Sequence, residues 1–167
     1  VVIGTYQGGS GRDVITLSGT ASAGTINTGG GYNDIVSVND SATVSQIAFA
    51  ESGFESSADI YGDASVGGID LGAGLWARVN LYGNAQVASI SGSGQEQYIQ
   101  VHSVGGWNPA VSINLTGPSS GLYFHASGVF DLTSASISSI EHLHFSNGSV
   151  GQIDNDVLAD VTNISGN

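Results

Sequence analysis

The side chains of this chain that are able to do chemistry are carboxylates and histidines. The sequence has 14 acidic residues, four histidines, two arginines and no cysteine. His142 and His144 lie two residues apart, so a strand would place both on one face, which is a spacing that can bind zinc. His102 and His125 occupy equivalent positions of successive repeats and are predicted to stack. Because no third ligand is evident, we expect all four to be exposed side chains on one flank.

Several aspartates fall at positions that neighbouring repeats bring together. Asp59, Asp63 and Asp70 are candidates to pair across repeats with Asp34 or Asp40, and paired carboxylates are the groups that hydrolyse glycosides. Aspartate is also a common residue of exposed turns. We therefore expect these side chains to line a solvated turn edge or to help hold a cation.

Charge and composition exclude several classes of partner. The formal net charge is −12. A surface that neutralises phosphates needs a basic patch, so nucleic acid and anionic lipid are excluded. No apolar run approaches the ~18 residues of a membrane span, and no membrane insertion is expected. The absence of methionine predicts that Val1 follows processing or excision from a longer protein.

A repeat of about 21 residues organises the apolar positions. The pattern Ala-x-(Val/Ala)-x-x-Ile follows a small turn residue and ends at Ile26, Ile47, Ile69 and Ile90, with looser versions that end at Ile113, Leu132 and Ile153. A second apolar series has the same period, at Ile15, Val36, Ile60, Val79, Ile99, Leu122 and Leu143. Two series with one period indicate a repeat of strand, small turn, strand and glycine-bearing turn, coiled into stacked layers.

These patterns predict an all-β fold, a parallel β-solenoid of about seven coils that forms a rod about 34 Å long. The crossovers are expected to be right-handed. Inward side chains should stack in columns, with isoleucines in one column and Ala21, Ala42, Ala64 and Ala85 in a narrower column where the coil bends. An antiparallel β-sandwich with short hairpins is the alternative, although hairpins do not require a fixed period.

The chain is predicted to be one domain, residues 1–167, with three regions. Residues 1–50 carry the glycine–aspartate turns, residues 51–116 are regular coils, and residues 117–167 are irregular coils with a C-terminal cap. The segment from Ala135 to Ile140 copies the repeat in the wrong phase and is interpreted as a third side or an extended turn. Residues 51–57 are interpreted as a bulge. Residues 154–164 are expected to form a last partial coil or cap, with a helical turn around Val157–Ala159.

Two early turns carry glycines and an aspartate in a fixed pattern. Gly8 to Thr16 fits G-G-x-G-x-D-x-U-x, where U is a large apolar residue, and Gly29 to Ser37 fits it except for Tyr32. This pattern resembles the calcium-binding repeats of the RTX (haemolysin-type) family, in which Ca²⁺ binds carboxylate and carbonyl oxygens between adjacent turns. Two departures are evident, since the pattern occurs once per coil instead of twice and Ala77 and Gln97 replace the aspartate in later turns.

The resemblance implies a ligand set for one or two calcium ions. It assigns the carboxylates of Asp13 and Asp34, together with backbone carbonyls, as ligands, and the carbonyls are those of Gly9, Gly11, Gly30 and Tyr32. The alternative is that Gly–Asp and Asn–Asp are simply favourable turn residues.

Two further resemblances concern location. The segment from Gly19 to Asn27 is similar to short repeats of autotransporter adhesin passengers. The segment from Phe130 to Gly148 is similar to strands that close solenoids in large bacterial surface and S-layer proteins. They imply a structural or assembly module of a secreted bacterial surface layer, fibre or adhesin, whose partners are other copies or neighbouring segments of the same protein.

Two other functions stay open at this point. Tyr61 and Tyr82 fall in equivalent phases, with Trp76 and Trp107 nearby in predicted turns, and exposed stacked aromatics are able to bind the sugar rings of glycans. Polysaccharide lyases and epimerases use coils of similar length, but their proton chemistry needs bases and cations. Here there are only Arg12 and Arg78, far apart in sequence, so we expect no enzyme.

Overall fold

The computed structural model describes residues 1–49, 55–146, 148–159 and 161–166, and these residues form a parallel β-solenoid. One sheet, called sheet 1, has seven parallel strands: β1 (Val2–Gln7), β3 (Ser22–Asn27), β5 (Thr43–Ala48), β7 (Ser65–Asp70), β9 (Gln86–Gly92), β11 (Ser112–Leu115) and β14 (Ser136–Ser138). The prediction of an all-β solenoid of about seven coils is confirmed.

The opposite side, called sheet 2, has eight strands. They are β2 (Val14–Leu17), β4 (Asp34–Val38), β6 (Ser56–Ile60), β8 (Trp76–Leu81), β10 (Glu96–Val101), β12 (Ser119–Phe124), β15 (Ile140–Phe145) and β17 (Val161–Gly166). Because the chain alternates between the sheets, every strand pairs with the strand one coil away, and the apolar core lies between the two sheets.

Equivalent side chains of successive coils stack in the core as predicted. Cα pairing places Ile26 beside Ile47 and Ile47 beside Ile69, and Ile90 and Ile113 continue the same column. These five side chains are at most 1% exposed. In the narrow column Ala42, Ala64 and Ala85 are fully buried, since the tight turn before each strand of sheet 1 has room only for a small side chain.

The spacing Val-x-x-Ile in sheet 1 has a structural cause. The pairing of β5 with β7 runs Val44 to Val66 and then Gln46 to Gly68, so Ser45 and Gly67 are skipped. The strands β1, β3, β5, β7 and β9 each contain one such residue, which breaks the two-residue alternation and lets residues three apart both face the core. An interruption repeated at the same place in these coils keeps their strands in register.

In sheet 2 the inward residues alternate in the usual way, and one predicted register is corrected. Ala58 pairs with Val36 and Val79, whereas Ile60 pairs with Val38 and Leu81. Ile60 is thus the second inward residue of its strand and not the first. The sequence misled because alanine, a small residue, occupies the inward position that valine or isoleucine holds elsewhere.

The later coils depart from the prediction. Ile137, and not Leu132, continues the isoleucine column, because β14 pairs Ile137 with Ile113. The segment Ala135–Ile140 is therefore a regular part of the solenoid. A third side is formed instead by a two-stranded parallel sheet of β13 (Gly128–Asp131) and β16 (Ser149–Gln152).

The C-terminal residues form the predicted partial coil. A short helix, α1 (Asn155–Ala159), includes the expected turn, and its Val157 is 2% exposed. Strand β17 then pairs with β15. Ile153 precedes this helix and does not enter the isoleucine column.

The sequence predicted a bulge at residues 51–57. Residues 51–54 lie outside the described residues, and Ser56 and Ser57 begin β6. In the described ranges, no helix has the length and apolarity needed to cross a membrane.

Replacement of Gly31 by alanine should destabilise the protein by about 1–3 kcal/mol. A Cβ at Gly31 would collide with the carbonyl oxygen of Gly11 in the preceding turn, whereas a Cβ at Gly11 meets no atom within 4 Å. Gly11→Ala is the matched control and should be neutral or slightly stabilising. Chemical denaturation of both variants measures the difference, and equal losses of stability would contradict the close approach of the two turns.

Candidate functional site

The two predicted aspartates belong to one column of side chains at the start of the sheet 2 strands. Pairing continues from Asp34 to Ser56, Ala77, Gln97 and Ser120 along the sheet. Asp13, one coil before Asp34, immediately precedes β2. The turns that carry Asp13 and Asp34 therefore stack, as their spacing of one coil predicted.

Backbone and side-chain groups already hold both carboxylates. The Asp34 side chain is 2% exposed, and its Oδ1 accepts from the backbone N–H of Asp13 at 2.8 Å. Asp13 Oδ1 accepts from the hydroxyl of Tyr6 at 3.0 Å, and Oδ2 accepts from the N–H of Gly9 at 3.1 Å. The hydrogen bond to Asp13 raises the pKa of Tyr6. The carboxylates thus order the turns whether or not a metal is bound.

Each side chain of this column, which begins with Asp13 and Asp34, also lies inside the turn of its own coil. Where the residue at the boundary between the sheet 1 strand and the turn is glycine, as at Gly8 just after β1 and at Gly92 at the end of β9, the column residue is long and polar, Asp13 or Gln97. A Cβ at Gly92 would collide with the Gln97 side chain. Oriented with its oxygen towards the turn, the Gln97 amide accepts from the N–H groups of Gly94 at 3.1 Å and Ser93 at 3.2 Å.

Where that residue is large, the column residue is small. Leu71 and Leu115, both at most 1% exposed, face Ala77 and Ser120 respectively in the same turns. In these four turns the larger side chain therefore comes from either of two positions. Size compensation of this kind matches the loss of the aspartate at Ala77 and Ser120.

The first two turns contain the kinds of oxygen ligand that a single calcium ion would require. A Cβ on Gly29 would collide with the Gly9 carbonyl, and one on Gly31 with the Gly11 carbonyl, so both oxygens are directed at the next turn. Together with two carboxylates these are hard oxygen ligands, which Ca²⁺ prefers. Gly30 and Tyr32 lie on the exposed rim of the second turn. In the part of the chain that the structure describes, no three acidic or histidine side chains converge, so backbone carbonyls would have to complete the coordination.

A second feature is a column of aromatic rings at the C-terminal ends of the sheet 2 strands, opposite the column that begins with Asp13. We call it the ring ladder, and it consists of Tyr61, Tyr82, His102 and His125. Successive ring centroids are 4.6, 4.4 and 5.1 Å apart, with interplanar angles of 5°, 7° and 21°. Each residue directly follows its strand, so one ring per coil stacks on the next. The predicted equivalence of the tyrosines and of the histidines is observed, as one continuous stack.

The ring ladder limits how these tyrosines contact a sugar. Tyr61 covers one face of the Tyr82 ring and His102 covers the other, so Tyr82 offers only its edge. Trp107 does not belong to this flank, contrary to the prediction. Its side chain is 7% exposed, and its indole N–H donates to the carbonyl of Asp131. An added short 3-10 helix, Val104–Gly106, turns Trp107 into the core.

The aromatic residues on the outer face of sheet 2 form a patch that sequence reasoning missed in part. Trp76 and Tyr98 meet edge to face at a centroid distance of 6.1 Å, and Tyr98 meets Tyr123 at 5.8 Å. We call these three residues the aromatic patch. Arg78 lies over the Trp76 ring at 5.2 Å. The two-residue alternation of the sequence could have identified this patch, since Trp76, Tyr98 and Tyr123 all occupy outward-facing positions of β8, β10 and β12.

The remaining histidines and aspartates of the described ranges have other partners, and His142 Nε2 lies 3.8 Å from the carboxylate of Glu141. His142 and His144 share a face of β15 as predicted, and His144 Nδ1 lies 2.7 Å from the Ser165 hydroxyl. The three aspartates that were candidates to pair with other carboxylates accept hydrogen bonds from amide groups, Asp59 from the Asn80 side chain, Asp63 from the Asn84 side chain and Asp70 from the N–H of Gly72.

Acidification should destabilise the protein through the ring ladder. Burial lowers the pKa of His102, as does neighbouring His125, and burial lowers the pKa of His125, as does His144. The ladder histidines are therefore neutral in the folded chain at pH values where the unfolded chain already binds protons. The contribution of the neutral histidines to folding stability is therefore fully present above ~6.5, the pKa of histidine in the unfolded chain. It is lost as the pH falls from there through the lower pKa values of the two histidines in the folded chain.

Thermal unfolding at a series of pH values, for the wild type and for His102→Gln, measures this effect. The variant should lose less stability between pH 7 and pH 5 than the wild type, because it lacks one proton-binding group. His142→Gln is the matched control, since that side chain is 43% exposed, and it should follow the wild type. Parallel curves for wild type and His102→Gln would contradict the prediction.

Comparison with known proteins gives no family. No protein-family model matches the chain, and neither the curated proteins nor the solved structures contain a match. The class of protein is therefore defined by the fold alone, a two-sheeted parallel β-solenoid.

Proposed function

We propose that this chain is a structural and assembly module of an extracellular bacterial surface protein, such as a surface layer, a fibre or an adhesin. The observation that carries the proposal is the outer edge of the first coil, which is open to a preceding segment of the same protein or to another copy. Among the described residues, β1 pairs only with β3 and β2 only with β4, so each has one edge of unpaired backbone groups. Such an edge is a template for another strand.

The first coil also has an apolar surface that a neighbouring coil would cover. Ile3 faces inward and is 38% exposed, whereas Ala23 and Val44, which continue its column in the next two coils, are 5% and 2% exposed. The outward-facing Val2 and Val14 of the same coil are 85% and 60% exposed. Burial of apolar surface contributes about 25 cal/mol per Å², so stacking of one more coil is favourable. The partner is another copy or a neighbouring segment of the same surface protein.

The two ends differ, which favours head-to-tail stacking. At the C-terminal end the helix α1 packs beside β14, whereas β17 pairs with β15 on one side only. A heterologous contact between different ends continues as a filament unless it closes into a ring.

Analytical ultracentrifugation tests the proposal. The wild type should associate as its concentration rises, and Val2→Glu should weaken that association by placing a charge at the free edge. Val129→Glu is the matched control, because Val129 is 51% exposed and lies in the third sheet, away from β1. A wild type that stays monomeric at millimolar concentration, or equal effects of the two variants, would overturn the proposal.

Calcium has a place in this proposal as an ordering ion of the first two turns. Asp13 and Asp34 would bind it, with the carbonyls of Gly9 and Gly11 as further ligands. The ion would neutralise two nearby carboxylates in a chain of net charge −12 and would stiffen the coils that bear the free edge. Millimolar calcium is ordinary outside cells, where weak sites of this kind function.

A second candidate function is glycan binding at the aromatic patch. Trp76, Tyr98 and Tyr123 are all partly exposed on one face of sheet 2, which suits contact with sugar rings. A glycan array should then show binding that Tyr98→Ala removes and that Tyr82→Ala leaves intact, because the faces of Tyr82 are covered within the ring ladder. A blank array would remove this candidate.

A further inference from the structure

Both arginines of the chain line one cleft, although they are 66 positions apart and the chain has no other Lys or Arg. The cleft has a volume of about 250 Å³ and lies on the outer face of sheet 2, where β2, β4 and β6 begin. Arg12 precedes β2, and Arg78 lies in β8, three strands along the sheet. In a chain of net charge −12, this cleft brings together both cationic side chains.

Neither arginine forms a direct ion pair within the described ranges. No carboxylate there lies within 4.0 Å of either guanidinium. Arg12 Nε donates to the carbonyl of Asn33 at 3.2 Å. Arg78 Nε is buried and has no hydrogen-bond partner among the described residues. Buried donors of this kind are normally satisfied, and the described residues supply no acceptor here, so the Nε of Arg78 is available to a ligand acceptor.

Two carboxylates, Asp34 and Glu55, line the cleft together with the arginines. Asp34 is 2% exposed, and its Oδ1 accepts a hydrogen bond from the backbone N–H of Asp13. Glu55 is exposed, so water screens its charge. A ligand carboxylate therefore meets two guanidinium groups, one solvated acidic side chain, and one buried carboxylate that is already hydrogen-bonded to the backbone.

We propose that this cleft binds the carboxylate of an acidic sugar, a uronic acid. Guanidinium groups bind carboxylates through two parallel hydrogen bonds, which lysine does not reproduce. Trp76, whose ring contacts Arg78, and Tyr98 beside it provide apolar faces for the pyranose ring. This inference rests on the glycan-binding candidate and names the ligand class for the same face of sheet 2.

Titration of the isotope-labelled protein with D-glucuronate, D-glucose and acetate, followed by NMR, tests the inference. Glucuronate should shift the amide resonances of Arg12, Asn33 and Arg78 and should bind at least about tenfold more tightly than glucose or acetate. Arg78→Gln and Arg12→Gln should each weaken glucuronate binding about tenfold, and Glu55→Gln should strengthen it. Arg12 and Glu55 are exposed, so their variants keep the test valid if Arg78→Gln does not fold.

Several results would overturn the inference. Equal affinity for acetate and glucuronate would mean a carboxylate site without a sugar, and unchanged binding in Arg12→Gln and Arg78→Gln would place the ligand elsewhere. If glucose binds through Tyr98 and glucuronate gains nothing, only the acidic-sugar inference fails. If no sugar binds at all, the glycan-binding candidate fails with it, whereas end-to-end association is measured independently of both.

Discussion

Replacement of Phe124 by alanine should remove about 3–5 kcal/mol of stability. The side chain is fully buried, stacks on Phe145 at a centroid distance of 5.0 Å, and contacts the rings of Phe130 at 4.4 Å and Trp107 at 5.1 Å. The alanine variant leaves a cavity that these three rings cannot all fill. Because whole domains are stable by only about 5–15 kcal/mol, the loss should be visible in any unfolding experiment.

The loss should also be local. In a solenoid each coil contacts only its neighbours, so the C-terminal coils should open before the others and broaden the unfolding transition. Denaturant unfolding measures the first effect and amide hydrogen exchange the second. Tyr123→Ala, one residue earlier on the outer face, is the matched control and should cost ~1 kcal/mol or less. Equal losses from the two variants would show that the rings around Phe124 do not form the core of these coils.

Calcium should raise the melting temperature, and Asp34→Asn should abolish most of that rise. At a calcium concentration one hundred times Kd the expected stabilisation is about 2.7 kcal/mol. The asparagine oxygen still accepts from the N–H of Asp13, so without calcium this variant should keep most of the wild-type stability. Asp34→Ala removes the acceptor as well and should cost about 1–3 kcal/mol even in the presence of a chelator.

The comparison of these two variants separates the structural role of Asp34 from metal binding. Thermal melts with calcium and with a chelator provide the measurement. Asp63→Asn is the control for loss of one negative charge, since Asp63 bonds the Asn84 side chain on an exposed turn. A wild type without a calcium response, or an Asp34→Asn variant with the full response, would rule out the proposed ion.

The fold was predictable from the sequence because, in a solenoid, equivalent positions of successive coils need side chains of similar size. Ile26, Ile47 and Ile69 each fill the same layer, so one column is readable without knowledge of the rest. The later register was not predictable, because β13 and β16 add a third side and lengthen the coil before Ile137. Leu132 then fell by chance in the expected phase.

The candidate site was predictable only in part. The stacking of Asp13 and Asp34 followed from their separation of one coil, which is a local property. The burial of Trp107 depends on a contact with Asp131 one coil later, and the meeting of Arg12 with Arg78 depends on register accumulated over three coils. Contacts of that kind require each intervening coil length to be known.

The central claim, that the free edge of the first coil pairs with another coil, is tested most directly by hydrogen exchange of the β1 amides at low and high protein concentration. As the concentration rises, the β1 amides should become protected, while those of the central strand β7 should keep their exchange rates. Protection that never appears in β1, or that appears equally in β7, would contradict the account.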